Sequence, residues 1–292
     1  MATLKEIKSR IQGVRNTQKI TRAMKIVATT RLKKLEKTVQ SGFESMGILK
    51  SIYENLAKSA YDFTHPLIQQ NEASKKAGVI VISSDRGLCG AFNALLFRTI
   101  EEFAENELGN SDCVYYLIGT KALSNYKKRR PDAVVYSATK VTFGQHAKIA
   151  NEIIDHAVAA YAKNEISDLY VIFNGYRSRS DYGFTVHHLL PFQQMHATMD
   201  METKRAGTRF LVEPSASACL SVLIPLYMGT VLESALLQSQ TAEELSRMLA
   251  MDYATENANE LVADLTLVYN RTRQAVITKE ISEIVGGAEA LK

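Results

Sequence analysis

Several features that define other protein classes are missing from this sequence. Its 292 residues include no tryptophan, and the three cysteines, Cys89, Cys113 and Cys219, form no C-x-x-C pair. Such a scattered set predicts free thiols in a reducing compartment and no zinc cluster. No uninterrupted apolar run reaches 18 residues, so we expect no membrane span. The first ten residues, MATLKEIKSR, lack the apolar core of a secretory signal.

Proline is scarce at both ends of the chain. Residues 1–58 contain none, and residues 214–291 contain only Pro225 after Pro214. Both stretches place apolar residues three and four positions apart, the spacing of a helix that buries one face. In the first stretch these residues are Ile7, Ile11, Val14, Ala28, Leu32, Leu35, Val39, Phe43, Met46, Leu49, Tyr53 and Leu56. We therefore expect a long helix at each end of the chain.

The C-terminal helix carries a stripe that repeats every 3.5 residues, the period of a coiled coil. The stripe consists of Ala254, Ala258, Leu261, Leu265, Val268, Thr272 and Ala275. A second stripe with a shifted phase follows, formed by Ile277, Ile281, Ile284, Ala288 and Leu291. The shift indicates the point at which the C-terminal helix continues beyond a shorter partner helix.

Charge indicates which helix that partner is. Residues 1–58 carry thirteen Lys and Arg against four Glu, whereas residues 213–292 carry five against eleven Asp and Glu. Opposite charges favour pairing of the two helices, and we expect an antiparallel coiled coil. Taken singly, each charge run could be a solvated helix face, and a basic helix could bind nucleic acid. Aromatic residues are sparse along the basic helix, so we expect no nucleic-acid binding.

Two local patterns refine the N-terminal helix. Thr3 followed by Glu6 predicts a capping box, in which each residue satisfies a backbone N–H of the other. Near Gln18 and Thr21 the apolar stripe becomes polar. We therefore expect weaker apolar packing in this part of the helix pair.

Between the helices the period changes to short β-branched runs that alternate with amphipathic stretches. This alternation predicts a Rossmann-like, mainly parallel α/β layer. The predicted strands are 77–83, 113–118, 133–137 and 168–174, with an extended return at 182–190, and the predicted helices are 91–107, 121–128 and 145–163. We divide the chain into an N-terminal coiled-coil helix (1–60), an α/β domain (75–192), a connector (193–213) and a C-terminal coiled-coil helix (214–292).

Candidate sites of chemistry are few. The turn DRGLCG at 85–90 follows the first strand, where a phosphate could bind, but it lacks the third glycine of a dinucleotide motif and the lysine of a P-loop. A tight strand-to-helix turn is the simpler interpretation. His187 and His188 lie on opposite faces of a strand and cannot bind one metal ion together. The polar turn at 176–181 could contact solvent or a partner. We expect no catalytic residue, no cofactor and no metal.

Four motifs occur in order along the chain. They are NTQKITRAMKIVA at 16–28, SDRGLCGAFN at 84–93, RMLAMDYATENA at 247–258 and ITKEISEIVGGAEA at 277–290. Together they resemble the gamma subunit of the F-type ATP synthase over the whole chain. The resemblance implies a central rotor shaft that couples proton flow to ATP synthesis and regulates ATPase activity. It implies a subunit present once per complex, with no catalysis, no bound nucleotide and no direct membrane insertion.

The resemblance also implies partners and contact residues. The coiled coil would stand inside the alpha3-beta3 ring, with the α/β domain against the epsilon subunit and the c-ring. Arg22, Met24 and Lys25 would pass an acidic loop of beta. Arg273, Gln274, Thr278 and Glu280 would meet beta higher in the ring, and 281–291 would enter an apolar sleeve. No insertion with paired cysteines occurs, so we expect no redox regulation of the plant chloroplast kind.

The expected location is the cytoplasmic face of a bacterial inner membrane, although a mature organelle protein would show the same features. Two other classes remain open at this point. A free-standing coiled-coil scaffold would self-associate without partners. An α/β enzyme that uses the turn at 85–90 would bind nucleotide as an isolated chain.

Overall fold

The computed structural model describes residues 3–57, 65–71, 73–74, 76–108, 112–142, 144–179, 181–192 and 212–289. The chain divides into two compact units. One unit comprises Met1–Thr30 and Arg247–Lys292, and the other comprises Arg31–Ser246. The helices at the two ends of the chain each contribute to both units, and the whole α/β layer lies in the second unit.

Both long helices form as the apolar spacing predicts. Helix α1 is Leu4–Ala57 and helix α5 is Ala216–Glu289. The capping box at the start of α1 is confirmed, because the Thr3 amide donates to Glu6 Oε2 at 2.9 Å and the Glu6 amide donates to Thr3 Oγ1 at 3.3 Å. The expected start of α5 at Pro214 is two residues early. Ser215 is the cap, since its Oγ accepts from the Ala218 amide at 3.2 Å.

Five strands form one sheet in the unit of residues 31–246. They are β1 (Ala77–Ile82), β2 (Cys113–Ile118), β3 (Val134–Ala138), β4 (Asp168–Ser178) and β5 (Asp181–Leu190), in the spatial order β3-β2-β1-β4-β5. The pairs β1·β2, β1·β4 and β2·β3 are parallel, and only β4·β5 is antiparallel. The mainly parallel layer is therefore confirmed. The extended return predicted at 182–190 is its antiparallel edge strand.

The central strands β1 and β2 are buried on both faces of the sheet, as their continuous apolar sequences predict, whereas the edge strands β3 and β5 are mostly partly exposed. Helices α2 (Phe92–Asn106), α3 (Thr120–Arg129) and α4 (His146–Ala162) supply the cover together with the first part of α5. All six residues of β1 are buried. The largest apolar cluster joins the sheet to α4 and α5, and a second joins it to α2 and α3. The sheet face that meets α5 thus forms the larger part of the core.

Helix α5 also contains a stretch long and apolar enough, by composition, to cross a membrane. Its mean hydropathy is 1.7, and 61% of the stretch is buried inside the protein. A core helix has these properties because its apolar side chains pack against other elements. The stretch contains no uninterrupted apolar run of 18 residues, and its burial is that of a core helix.

In the unit of residues 1–30 and 247–292 the two helices pair antiparallel. Residue numbers on α5 rise as those on α1 fall: residue 25 contacts 252, residue 21 contacts 255, and residue 18 contacts 259. Continuing this register twenty-one residues from the first pair brings Leu4, where α1 begins, opposite Arg273 of α5. The described part of α5 therefore continues for sixteen residues beyond the start of its partner.

The 3.5-residue repeat of α5 is present, but three of its predicted members, Leu261, Val268 and Ala275, are wrong because their side chains are exposed. Leu261 and Val268 are each 47% exposed, whereas Val262 and Tyr269, one position further along, are only partly exposed. The inward stripe consists of Met251, Thr255, Ala258, Val262, Leu265, Tyr269 and Thr272. Both stripes have the same spacing, so the period alone could not distinguish them. On α1, Phe43 is likewise exposed against expectation.

The proposed division into four domains stays a prediction. Most of the connector, residues 193–211, lies outside the described residues, as do residues 58–64 at the end of the N-terminal segment. The strand predicted at 168–174 is four residues longer than expected, because β4 continues to Ser178 and pairs there with β5.

A candidate partner-binding surface on the two long helices

The first group of candidate contact residues lies on α1. Arg22 is exposed, and Met24 and Lys25 are partly exposed. The expectation that Lys25 simply faces an acidic partner needs refinement, because its Nζ lies 2.5 Å from Oδ1 of Asp252 on α5. An acidic loop of another protein would have to share Lys25 with Asp252.

The polar part of the α1 stripe forms cross-helix hydrogen bonds, which sequence reasoning missed. The hydroxyls of Thr21 and Thr255 are 2.7 Å apart. Each also lies within donating distance of a carbonyl of its own helix, that of Gln18 at 3.0 Å and that of Met251 at 2.7 Å. Two hydroxyl protons serve three contacts, so only two of the contacts can be hydrogen bonds at one time.

These contacts form a polar ladder along the helix pair. The ladder consists of Lys25 with Asp252, Thr21 with Thr255, and Gln18 with Asn259. Polar pairs inside a coiled coil fix its register at some cost in stability. A sequence signal was present, since polar residues at 18, 21 and 25 and at 252, 255 and 259 follow the same three- and four-residue steps.

The second group lies on the part of α5 that continues past Leu4. Arg273, Gln274, Thr278 and Glu280 are all exposed, and so is every other residue from 273 to 286. The ion pair between Lys279 Nζ and Glu283 Oε1, at 3.6 Å, joins consecutive turns of this helix. The helix therefore presents its full circumference to solvent in the chain alone.

Large apolar side chains are part of this exposed segment. Ile277 is 46% exposed, Ile281 is 56% exposed and Ile284 is 72% exposed. Exposed apolar side chains that recur on one helix face commonly mark a site that another protein covers. The remaining members of the predicted stripe, Ala288 and Leu291, lie where the structure describes no side chains.

The turn at 85–90 serves packing in the α/β unit. The Asp85 carboxylate accepts hydrogen bonds from the Thr120 amide, the Thr120 hydroxyl and the Lys140 amide, at 2.7–3.0 Å. It thereby caps the N-terminus of α3. Asn93 donates to Ser84 Oγ at 2.8 Å and closes the other side of the turn. The Asp85 carboxylate also places a negative charge in the turn, which disfavours binding of a phosphate.

The remaining candidates for chemistry are also engaged in packing. Cys89 is buried, and its carbonyl accepts a hydrogen bond from Ser246 at 2.6 Å. His187 and His188 lie on opposite faces as expected: His187 packs on Phe173, while His188 stacks on Tyr170 at 4.6 Å. The described part of the chain contains no group of three or more His, Cys, Asp or Glu residues placed to hold a metal ion.

Comparison with known proteins decides the family. The profile of the ATP synthase family matches residues 3–291. The chain is 36% identical to the ATP synthase gamma chain of Chlorobaculum parvum and 35% identical to that of Fusobacterium nucleatum, in both cases over the full length of both chains. The chain belongs to the ATP synthase gamma-chain family.

Solved structures share the fold of this gamma-chain family member. A chain of the rotor of the Euglena gracilis mitochondrial ATP synthase matches with a TM-score of 0.66 and 14% identity, covering 94% of this chain and 98% of that one. A chain of the central stalk and c-ring structure of the Tetrahymena thermophila enzyme matches with a TM-score of 0.58 and 24% identity, covering 80% and 99%. The α/β layer and long terminal helices are thus shared across distant relatives.

Proposed function

We propose that this chain is the central rotor shaft of an F-type ATP synthase, a non-catalytic subunit that couples proton flow to ATP synthesis. The observation that carries the proposal is the continuation of α5 past the start of α1, with its side chains exposed from 273 to 286. A single exposed helix with recurring apolar residues needs a surrounding partner. The family to which the chain belongs supplies one, because its relatives are named gamma chains of ATP synthase.

The proposed partners follow from the same reasoning. The helix pair would stand inside the alpha3-beta3 ring, and the α/β unit would contact the epsilon subunit and the c-ring, with one copy of the chain in each complex. The solved relatives include chains of a central stalk and c-ring structure and of a rotor. We place the chain on the cytoplasmic face of a bacterial inner membrane, as a peripheral component held by its partners.

The coupling needs more free energy than one surface contact supplies. Moving a two-state equilibrium from 1:99 to 99:1 takes about 5.5 kcal/mol of differential binding. An exposed ion pair contributes about 0–1 kcal/mol. A shaft can therefore switch the state of a beta subunit only through many unequal contacts or by steric exclusion. A helix with different side chains on each face provides such inequality as it turns.

Within this scheme the two groups of contact residues have different tasks. Arg22 and Met24, with Lys25 beside Asp252, would meet the acidic loop of beta near the base of the ring. Arg273 would bind a beta carboxylate with two parallel hydrogen bonds, which lysine could not reproduce. Gln274, Thr278 and Glu280 would complete this upper contact, and the isoleucines beyond would fill the apolar sleeve.

Assembly tests the proposal directly. The chain should form a complex with cognate alpha and beta subunits and activate ATP hydrolysis, whereas neither the isolated chain nor alpha and beta alone should hydrolyse ATP at that rate. Failure to form the complex would contradict the proposal. Nucleotide binding by the isolated chain would favour the enzyme alternative, and self-association in the absence of partners would favour the scaffold.

A substitution at Met24 tests the lower contact. Met24→Lys adds a positive charge beside Arg22 and Lys25, where it would strengthen attachment to the acidic loop in one rotational state over the others. We expect less ATP-driven proton pumping for each ATP hydrolysed in membrane vesicles. Met24→Leu, which keeps the size and the apolar character, is the matched control. Unchanged pumping by the lysine variant would refute this role.

A further inference from the structure

The hairpin of β4 and β5 extends well beyond the sheet. β1 pairs with β4 only as far as Ile172, but β4 and β5 continue to pair with each other up to Ser178 and Asp181. The extension, residues 173–178 and 181–185, is a two-stranded ribbon, and we call it the overhang. A two-stranded ribbon is marginally stable on its own. Contacts outside the sheet must therefore hold the overhang in place.

The first such contact is with α1. The Tyr176 hydroxyl donates to Oε1 of Glu36 at 2.7 Å. Arg179 donates to the same carboxylate twice, from Nε to Oε1 and from Nη2 to Oε2, each at 3.1 Å. Three hydrogen bonds thus converge on one carboxylate. Its side chain is only 16% exposed, and the hydrogen bond from Arg179 is the main reason that the pKa of Glu36 lies below its usual value.

The second contact is with α5. The Tyr182 hydroxyl donates to Ser246 Oγ at 3.1 Å, and Ser246 donates in turn to the Cys89 carbonyl at 2.6 Å. The rings of Tyr176 and Tyr182 pack against a small buried cluster of Cys89, Phe92 and Ala242. The overhang is therefore fastened to both long helices by directional hydrogen bonds, and all of these contacts lie in the unit of residues 31–246.

Directional hydrogen bonds resist rotation of a helix about its own axis more strongly than apolar packing does. Apolar contact is roughly proportional to area and has no preferred direction, so a helix can turn on an apolar surface with partial loss of contact. A bidentate arginine–carboxylate pair fixes both the distance and the plane of its partners. A rotation of α1 about its own axis would break the pair at Glu36.

We propose that Glu36, Tyr176 and Arg179 form a clamp that carries torque between the α/β sheet and α1. This inference rests on the proposed rotor function, in which load passes between the helix pair and the α/β unit. The three side chains are positioning residues: they touch no reacting group and act by keeping α1 from turning or sliding on the sheet. Tyr176 and Arg179 of the polar turn predicted at 176–181 thus bind α1 of the same chain.

The test compares turnover without load and under load in the complete, membrane-reconstituted enzyme. Glu36→Gln, Arg179→Lys and Tyr176→Phe each weaken the clamp while keeping the size of the side chain. Arg177→Gln is the matched control, because Arg177 lies on the same overhang but pairs with Asp181 inside it, at 3.6 Å. ATP hydrolysis with the membrane made permeable to protons reports unloaded turnover, and pumping against an imposed proton gradient reports turnover under load.

We expect each clamp variant to hydrolyse ATP at the wild-type rate without load. Under a steep gradient the protons pumped per ATP should fall about two- to tenfold, the factor that corresponds to the net loss of one hydrogen bond. The control should behave as wild type in both assays. The charge-reversed pair Glu36→Arg with Arg179→Glu should recover part of the loss seen with Glu36→Arg alone.

Several outcomes would overturn the clamp. An equal pumping ratio at every gradient would show that no load passes through it. A parallel fall in loaded and unloaded turnover, or loss of assembly in all three variants while the control assembles, would show that the residues act only in folding. If the wild-type chain itself assembled with no partner and pumped no protons, the proposed function would fail, and the clamp with it.

Discussion

The two ends of helix α5 have the same secondary structure and opposite surroundings. Between residues 220 and 246 most side chains are buried, and Leu232, Ala235, Ala242 and Leu245 are 0–1% exposed. From residue 273 to residue 286 every described side chain is exposed. An isolated helix of that length is marginal in water. The exposed end remains helical because it continues a helix that is already formed. Its apolar side chains are left uncovered in the chain alone.

The largest expected effect lies at the buried end. Leu232→Ala removes a fully buried side chain from the cluster that joins α5 to the sheet. We expect the α/β unit to lose about 2–5 kcal/mol of unfolding free energy. Ile281→Ala, at a residue of the exposed end that is 56% exposed, should change the free energy of unfolding by less than about 0.5 kcal/mol. Urea unfolding followed by circular dichroism measures both, and equal losses would erase the distinction between the two ends.

The second prediction concerns how the stability of the α/β unit depends on pH. Burial lowers the pKa of His146, an effect that the nearby Gln240 side chain of α5 only partly opposes, and burial also lowers the pKa of His187. Between these lowered pKa values and about 6.5, the ordinary value for histidine, the unfolded chain therefore binds more protons than the folded chain. Stability contributed by these groups is present above that pH and is lost as the pH falls toward the lowered values.

The urea midpoint of the α/β unit should accordingly decrease from pH 7 to pH 5.5. His146→Gln removes one titrating group and should flatten this decrease, whichever way it changes stability at pH 7. A slope that stays the same in the variant would show that His146 is not responsible. The exposed end of α5 contains no histidine, so its helicity should not change over the same range.

The third prediction concerns the polar ladder, where a substitution should raise stability by a smaller amount. Replacing Thr21 and Thr255 together by valine removes two hydroxyls that compete for hydrogen bonds and adds apolar contact. We expect the helix pair to gain up to about 1 kcal/mol. Either single replacement should gain less, because one hydroxyl remains in the seam. Thermal unfolding of the wild type, the two single variants and the double variant forms a double-mutant cycle. A loss of stability in the double variant would assign the ladder a net stabilising role.

The smallest effect belongs to the exposed ion pair of that ladder. Lys25→Met should cost about 0–1 kcal/mol, and 0.5 M salt should remove most of the difference from wild type. The matched change Lys19→Met, on an exposed face of the same helix, should leave thermal stability unaltered. A cost that persists at high salt would indicate packing of the lysine stem as its cause.

Sequence reasoning located the elements because their periods differ. Steps of three and four residues identified α1 and α5, and β-branched runs identified the four parallel strands. The capping box at Thr3 and Glu6 was predictable because it is local in sequence. Contacts between distant residues were not predictable in this way. No local pattern around Glu36 predicts that Arg179 binds it, because 143 residues separate the two in sequence.

The candidate contact residues show the same division. Motif and family resemblance singled out Arg22, Met24, Lys25, Arg273, Gln274, Thr278 and Glu280, and the structure places all seven on helices with side chains at least partly exposed. Their roles as contacts remain a proposal. The resemblance did not indicate that Asp252 already binds Lys25, because that pairing depends on the register of the two helices.

The sequence by itself determined the two long helices, their opposite charges, the α/β layer between them and the family. These properties depend on local period, composition and motif. Only the tertiary structure decided the phase of the seam, in which Val262 and Tyr269 face inward in place of Leu261 and Val268. The physical reason is that neighbouring apolar residues offer two stripes with one period, and only the position of the partner helix selects between them.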